Sequence, residues 1–307
     1  MLKADLHTHT TWSDGALAPR ELLRRANEKL LTHIAICDHD TVAALDSLRP
    51  RDVPMDVTLV PGVEVSAWLA DREVHILGLG VDIRHPRLRR TLGNLLEHRQ
   101  KRMGAMFDLL VRNGAFRRLD DDAREALRSE LVERPDHNDD PRGDPVGAAA
   151  CRLHLVSAML RHGVASSIPE AFDRWIGDGR PAFVPSYRYA GDEAIAMLRE
   201  AGGVPVLAHP GSYREQCRAA IRAAAAAGIG GIELVHPRHN AAKRKVILET
   251  STAVKLDLFT GGSDYHNDAS HHAWRFGNTF SPPEHLDALF DQMACRRFEP
   301  AEATASE

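Results

Sequence analysis

Several features that would mark a membrane, secreted or nucleic-acid-coating protein are missing from this chain. Across its 307 residues no apolar run approaches the roughly 20 residues a membrane-spanning helix needs. The opening stretch, Met1-Leu2-Lys3-Ala4-Asp5-Leu6-His7, runs straight into a strand-like pattern without a signal-peptide layout. Cysteine is scarce. Cys37, Cys151, Cys217 and Cys295 stand far apart with no CxxC pair, which argues against a disulfide framework and fits reduced thiols in a cytoplasmic protein. A strong charge of one sign is also lacking. The net charge of −4 speaks against broad coating of nucleic acid and leaves room only for a local basic groove. The rest is ordinary for a globular protein, 43% hydrophobic and 27% charged, with length for one large domain or one domain carrying an insertion. Histidine is the exception, at 17 residues. Only its placement can give that count a meaning.

Short apolar runs alternate with helical patterns, which predicts α/β architecture with parallel strands. The expected strands are Leu2–Leu6, His33–Cys37, Val57–Val60, Val74–Leu79, Val204–Ala208, Gly231–Val235 and Leu256–Thr260. The expected helices are Pro19–Leu31, His85–Asn113, Asp192–Ala201, Tyr213–Ala227 and Ala241–Thr250, the first with proline in its opening turn. Residues 97–180 break the rhythm. They hold an acidic, Arg- and Pro-rich stretch (Leu119–Pro145) and then a helical pattern at Gly147–His162. The expected organisation is therefore a barrel from 1–96 and 181–290, an insertion or cap at 97–180, and a C-terminal tail at 291–307. Asp136–Gly143 offers nothing to bury and is expected to be a mobile loop.

The strand ends carry the chemistry. The first ends in His7-Thr8-His9, with Asp14 in the following loop, and the second ends in Asp38-His39-Asp40. The third leads to Gly62-Val63-Glu64, and the fourth contains His75. A later strand closes on Ala208-His209-Pro210, and the last on Gly262-Ser263-Asp264-Tyr265-His266. Residues i and i+2 of a strand point the same way, so His7 with His9, and Asp264 with His266, can grip one ion. Singly, each piece has a plain structural reading: a strand HxH, a solvated turn, a satisfied core histidine, loop acids that cap helices. Jointly, nine nitrogen and oxygen donors fall at or beside one end of the expected strands. In parallel barrels that end is where chemistry sits.

The segments DLHTHTTWSDG, CDHDTV, PGVEVS, VHILGLG, VLAHPG and GGSDYH resemble, in order, the motifs of the PHP (polymerase and histidinol phosphatase) family of metal-dependent phosphoesterases. The resemblance spans most of the chain outside the insertion. It implies a distorted (β/α)7 TIM-like barrel and a trinuclear centre of divalent ions, Mn²⁺ first, with Fe²⁺ or Zn²⁺ as alternatives. By the family pattern His7, His9, Glu64 and Asp264 would hold one ion. Glu64 would bridge to a second completed by His75 and His209, and Asp14, His39 and His266 would hold the third. Against three carboxylates, three such ions leave an excess of about three positive charges, which suits a phosphate dianion. A metal-bridging hydroxide would attack phosphorus, and Asp14 or His266 would protonate the leaving alkoxide.

Aspartate at position 14, where histidinol-phosphatase members often carry histidine, resembles the nucleotide phosphatase and exoribonuclease branch. Arg99 and Arg102 share a helix face, and Arg152-Leu153-His154 resembles the RPH-like step of that branch. The resemblance implies that Arg99, Arg102 and Arg152, with His154, hold the phosphate that is not cleaved, although each is also a common surface residue type. The leading reading is a phosphatase that removes the 3′-phosphate from nucleoside 3′,5′-bisphosphates such as pAp. The alternative is a 5′→3′ exoribonuclease on short 5′-phosphorylated RNA. A histidinol phosphatase fits Asp14 and the paired arginines less well, and a non-catalytic metal-binding module would be expected to have lost ligands. The expected partner is a small phosphorylated substrate, with no membrane and no stable protein partner. Cys37 and Trp12 are expected to pack. Ser212 and Tyr213 would either line the pocket or pack their loop. His236, His239, His271 and His272 are expected at the surface.

Overall fold

The structure is a computed structural model that describes residues 2–133, 148–268 and 276–300. The mobile loop expected at Asp136–Gly143, His271, His272 and the end Ala301–Glu307 lie outside the described residues. Seven strands form: β1 (Ala4–Thr8), β2 (His33–Ile36), β3 (Thr58–Leu69), β4 (Arg72–Leu79), β5 (Val204–Leu207), β6 (Gly231–Val235) and β7 (Phe259–Gly261). The helices are α1 (Pro19–Glu28), α2 (Ala43–Asp46), α3 (Pro86–Arg112), α4 (Asp121–Val132), α5 (Arg152–Arg161), α6 (Ile168–Ala171), α7 (Gly191–Glu200), α8 (Cys217–Ala226), α9 (Ala241–Ala253) and α10 (Leu286–Gln292). The chain divides into two compact units: unit 1, Met1–Thr91 with Arg188–Glu307, and unit 2, Leu92–Tyr187.

In unit 1 the strands hydrogen-bond in chain order, β1 to β7. Bonds from Asp264 N to His7 O (2.9 Å) and from His9 N to Tyr265 O (3.1 Å) bring the last strand's end back to the first, so the sheet is a nearly closed seven-stranded barrel. Its strands are not all parallel, contrary to what the alternating pattern predicts. β4 pairs antiparallel with both β3 and β5. The cause is a two-residue turn at Ala70-Asp71, with φ of 48° and 60°, the left-handed pair that a tight hairpin requires. The chain therefore doubles back at once instead of crossing over through a helix.

Apolar residues on these strands, among them Leu6, Val60, Leu77, Leu79 and Val206, meet in one cluster with Cys37 just after β2 and Leu289 of α10. Fully buried aliphatic side chains such as Leu6 and Leu79 each contribute roughly 1.5–3 kcal/mol. Cys37 is wholly buried and Trp12 nearly so, both packed as expected. The segment assigned to a tail from 291 is fastened to the barrel through residue 298. Met293 and Phe298 are buried, Ala294 N bonds Gly202 O at 2.8 Å, and Phe298 N bonds Leu59 O at 2.6 Å.

Unit 2 is helical. Leu127 and Leu131 of α4, Leu155 and Met159 of α5, and Phe107 of α3 share one core with Ile176. Part of the acidic stretch is ordered here: Asp120 caps α4, accepting from Ala123 N at 2.8 Å.

Candidate metal centre

Glu64 sits on β3 with its carboxylate buried, and five imidazoles converge on it. Its Oε1 lies 2.9 Å from His75 Nδ1, 3.1 Å from His209 Nε2 and 3.4 Å from His7 Nε2. Its Oε2 lies 3.0 Å from His39 Nδ1 and 3.3 Å from His9 Nε2. Asp264 Oδ1 stands 3.3 Å from His9 Nε2, 3.5 Å from His266 Nδ1 and 3.6 Å from His7 Nε2. Asp14 Oδ1 lies 3.2 Å from His266 Nε2 and 3.7 Å from His39 Nε2. All nine side chains proposed as ligands are thus brought together. Three groups of their donor atoms lie mutually within 4.8 Å: His9, Asp14, His39 and His266; His7, His9 and Asp264; and His39, Glu64 and His75.

Local backbone explains how so many short side chains reach one place. His209 and Asp264 both adopt left-handed φ, 31° and 49°, at the points where their strands stop. Gly262 lets the last strand approach the first, since a Cβ there would lie 2.4 Å from His7 Cβ and 2.6 Å from His7 N. Of the Asp38-His39-Asp40 triplet only the histidine faces the centre. Asp38 accepts from Thr10 N (2.7 Å), Thr10 Oγ1 (2.6 Å) and Ser13 Oγ (2.5 Å), pinning the loop after β1. Asp40 accepts from Ser66 N at 2.7 Å.

Ring tautomers follow from the outer partners, and they test whether a cation fits. His7 Nδ1 bonds Glu233 Oε1 at 3.2 Å, so the neutral ring presents an Nε2 lone pair. Ser13 Oγ spends its proton on Asp38, so at 3.3 Å it accepts from His9 Nδ1, and His9 also presents an Nε2 lone pair. These two nitrogens face each other at 3.2 Å. Two lone pairs so placed repel unless a proton or a metal ion stands before them. Asp14 Oδ1, Glu64 Oε2 and His39 Nδ1 are buried as well and make no hydrogen bond. An all His/carboxylate set with such orphaned atoms fits divalent metal ions.

The titration behaviour of the protein groups alone agrees. Burial disfavours ionised Glu64, Asp264 and Asp14, yet the surrounding imidazoles hold all three well below the usual carboxylate range. Burial also pushes against a charged His266, but Asp14 and Asp264 raise it to about 10. His7 likewise rises, against burial, through Glu64, Glu233 and Asp264. His9 is driven down to about 3 by burial and by the neighbouring His266 charge. The centre is a nest of fixed negative charge that holds protons where ions would bind.

Three residues read differently from the sequence expectation or escaped it. Glu233 on β6, not singled out in the sequence, is wholly buried and accepts from both His7 Nδ1 and His209 N (2.7 Å). An acid inside an apolar strand was the available signal, because burying one without partners is costly. His236 and His239 are buried, not at the surface. His236 Nε2 lies 3.2 Å from Asp264 Oδ2. His239 bonds Leu234 O through Nδ1 and accepts from Gly211 N through Nε2, both at 3.0 Å, which steadies the turn after His209. Tyr213 packs that loop, donating to Ala208 O and accepting from His75 N, both at 3.1 Å.

The proposed substrate residues all lie in unit 2. Arg99 Nη1 is 3.6 Å from Cys151 Sγ, and Arg102 Nε donates to Val184 O at 2.8 Å. The Arg152 guanidinium lies 5.4 Å over the Phe172 ring, and His154 Nδ1 accepts from Cys151 N at 3.0 Å. Among the described residues no helix is long and apolar enough to cross a membrane.

No family model matches the chain. Individual proteins do. It is 33% identical over 211 residues to the 5′-3′ exoribonuclease Rnm of Escherichia coli (strain K12), covering 68% of this chain and 66% of that protein. It is 32% identical over 267 residues to a phosphoribosyl 1,2-cyclic phosphate 1,2-diphosphodiesterase of Eggerthella lenta, covering 85% and 93%. It is 30% identical over 247 residues to a 3′,5′-nucleoside bisphosphate phosphatase of Chromobacterium violaceum, covering 78% and 79%. A solved structure described as a metal-dependent phosphoesterase, from Bifidobacterium adolescentis, superimposes with a TM-score of 0.76 at 25% identity over 95% of this chain and 97% of that one.

Proposed function

Because the chain belongs to the PHP family of metal-dependent phosphoesterases, we propose that it removes the 3′-phosphate from nucleoside 3′,5′-bisphosphates, giving a nucleoside 5′-monophosphate and phosphate. The observation that carries this reading is the cluster of nine donor side chains centred on Glu64, with five imidazole nitrogens between 2.9 and 3.4 Å from its carboxylate. The bisphosphate as substrate follows the activity for which the Chromobacterium violaceum relative is named.

In this reading three divalent ions, Mn²⁺ first, are held by His7, His9, Glu64 and Asp264; by Glu64, His75 and His209; and by Asp14, His39 and His266. Bound there, such ions supply charge neutralisation at phosphate oxygens and acidify water. The chain does the rest. Glu233 fixes the His7 ring and the His209 backbone together, so two rings keep their aim without spending a group of the centre itself. Asp14 Oδ1 and His266 Nε2 stand 3.2 Å apart, and one of these two side chains is the proposed source of the proton for the departing 3′-oxygen. Arg99, Arg102 and Arg152, with His154, are proposed to hold the spectator 5′-phosphate.

Charge-assisted arginine–phosphate contacts contribute roughly 1.5–3 kcal/mol each, about one to two decades in kcat/KM. A phosphate-release assay with Mn²⁺ should therefore find the 3′,5′-bisphosphate cleaved far faster than the matching 3′-monophosphate. Arg152→Ala should erase most of that preference and leave p-nitrophenyl phosphate hydrolysis almost untouched. Equal loss on both substrates would make Arg152 structural, and no preference in the wild type would sink the bisphosphate assignment. A second reading, 5′→3′ trimming of short 5′-phosphorylated RNA, is favoured by the match to the Escherichia coli exoribonuclease. Release of mononucleotides from such RNA in the same assay would support it.

A further inference from the structure

Unit 2 contains a cleft of about 380 Å³ that the proposed reaction does not use. Its walls come from the loop after α3, the turn after α5 and the segment after α6, and include Phe116, Arg117, Arg118, His162, Arg174 and Trp175. Arg99 and Cys151 do not line it. Asn113, at its edge, lies 14 positions beyond Arg99 along α3 and its end, or roughly 20 Å at 1.5 Å per residue.

Cationic groups line this cleft, and while Arg174 pairs with Glu170 at 3.5 Å, Arg117 and Arg118 are not spent elsewhere. No acidic side chain is among its lining residues. Arg117 and Arg118 are exposed, and among the described residues their side chains make no hydrogen bond or ion pair. Three acids near in sequence are engaged: Asp120 caps α4, Asp121 holds Arg124 at 2.7 Å, and Glu170 bonds Ser166 and lies 3.5 Å from Arg174. Phe116 takes φ of 56°, a left-handed conformation that costs a bulky side chain roughly 1–2 kcal/mol. Its ring is held by Phe107 and His162, at centroid distances of 5.5 and 5.9 Å. The strained residue thus leads directly into the two unpaired arginines.

Trp175 adds an indole to the lining. Trp175 lies on a five-residue π-helix, Phe172–Ile176, an irregularity that often accompanies ligand sites. The Arg174 guanidinium stands 5.2 Å from the indole centroid. Trp175 Nε1 is buried and, among the described residues, has no hydrogen-bond partner.

From these features we infer that the cleft is a second binding site for a nucleotide, with phosphate held by Arg117 and Arg118 and the base against the Trp175 wall. Guanidinium groups match phosphate oxygens, and an indole gives any base a stacking surface. The same chemistry could arrive as a free mononucleotide or as one nucleotide of a longer RNA, and binding measurements separate the two.

Metal-loaded wild type and an Arg117→Ala/Arg118→Ala variant should be compared by calorimetry with adenosine 5′-monophosphate, inorganic phosphate and a hydroxyl-ended ribotetranucleotide. Unchanged hydrolysis of p-nitrophenyl phosphate by the variant shows that it is folded. For a free-nucleotide site, wild type should bind one more adenosine 5′-monophosphate per chain than the variant. For a strand site, the tetranucleotide should bind the variant about tenfold or more weakly, with adenosine 5′-monophosphate stoichiometry unchanged. The inference is overturned if neither ligand distinguishes the proteins. It is overturned equally if inorganic phosphate fills the cleft as tightly as the nucleotide while Trp175→Leu changes nothing.

Discussion

Glu233→Gln is a one-atom-type change at a wholly buried carboxylate, and the structure dictates its consequence. Glu233 accepts twice, from His7 Nδ1–H at 3.2 Å and from His209 N–H at 2.7 Å. Glutamine offers one carbonyl oxygen and one NH₂ group, so one of those two donors must lose its acceptor. If the amide oxygen stays with the His209 backbone, the NH₂ faces His7 Nδ1. The ring must then move its proton to Nε2, the nitrogen it presents to the centre. If the oxygen goes to His7, the His209 N–H is orphaned in the interior, which costs about 1–3 kcal/mol.

Both outcomes reach the metal centre. Loss of an outer carboxylate of this type typically weakens metal binding or activity by about 10- to 100-fold. Titration of chelator-treated protein with Mn²⁺, read by calorimetry, should give affinity lower by that factor. Thermal unfolding of the metal-free variant should move down by roughly 2–4 °C per kcal/mol lost. Wild-type Mn²⁺ affinity together with an unchanged midpoint would refute the reasoning and leave Glu233 a spectator.

Elemental analysis of Mn²⁺-reloaded protein should approach about three ions per chain; a plateau near one would remove the trinuclear proposal. Glu64→Ala deletes the carboxylate on which five imidazoles converge, so hydrolysis should fall by several orders of magnitude, and full activity in excess Mn²⁺ would make it a loop acid. Because His266 is raised to about 10 and His7 also lies above its usual value, metal loading at neutral pH must expel protons. The loading enthalpy should therefore vary with the ionisation enthalpy of the buffer, and independence from buffer would contradict the charge nest. By the same shift, His266 stabilises metal-free protein fully below its unfolded value near 6.5 and progressively less as pH rises through about 10. Unfolding of the metal-free chain should accordingly become easier between those limits. Gly262→Ala drives a methyl group to 2.4 Å from His7 Cβ and 2.6 Å from His7 N, so it should cost about 1–3 kcal/mol and weaken metal binding; a neutral result would mean the two strands can part freely.

The residues that sequence reading found are those whose chemistry is stated in their own neighbourhood. His7 with His9, and Asp264 with His266, are read from strand alternation, and His209 from its place at a strand end. What escaped depends on the other side of the barrel. Nothing in Gly231–Val235 says that Glu233 will face His7, 226 positions earlier in the chain. His236 and His239 sit in a Pro-containing turn that suggests exposure. Their burial follows from contacts with Asp264 and Gly211, which only the folded chain brings near.

The reversed strand was hidden for a different reason, and it matters more to the site. The usual sign of a tight hairpin is Asn-Gly or Asp-Gly, but here the left-handed pair is Ala70-Asp71, while the Pro61-Gly62 pair that does read as a turn lies inside β3. In a parallel β4, His75 would stand four residues short of the carboxyl end, about 13 Å below the rim where the other ligands gather. The hairpin removes that gap. With Leu79 opposite Gly62, Leu77 falls opposite Glu64 and His75 opposite Ser66, so the histidine stands only two residues from Glu64 in register and its ring reaches the carboxylate at 2.9 Å. The same reversal leaves Ala208 N bonded to His75 O at 3.0 Å, setting His209 beside it. One antiparallel strand in an otherwise parallel barrel is therefore what lets Glu64, His75 and His209 meet.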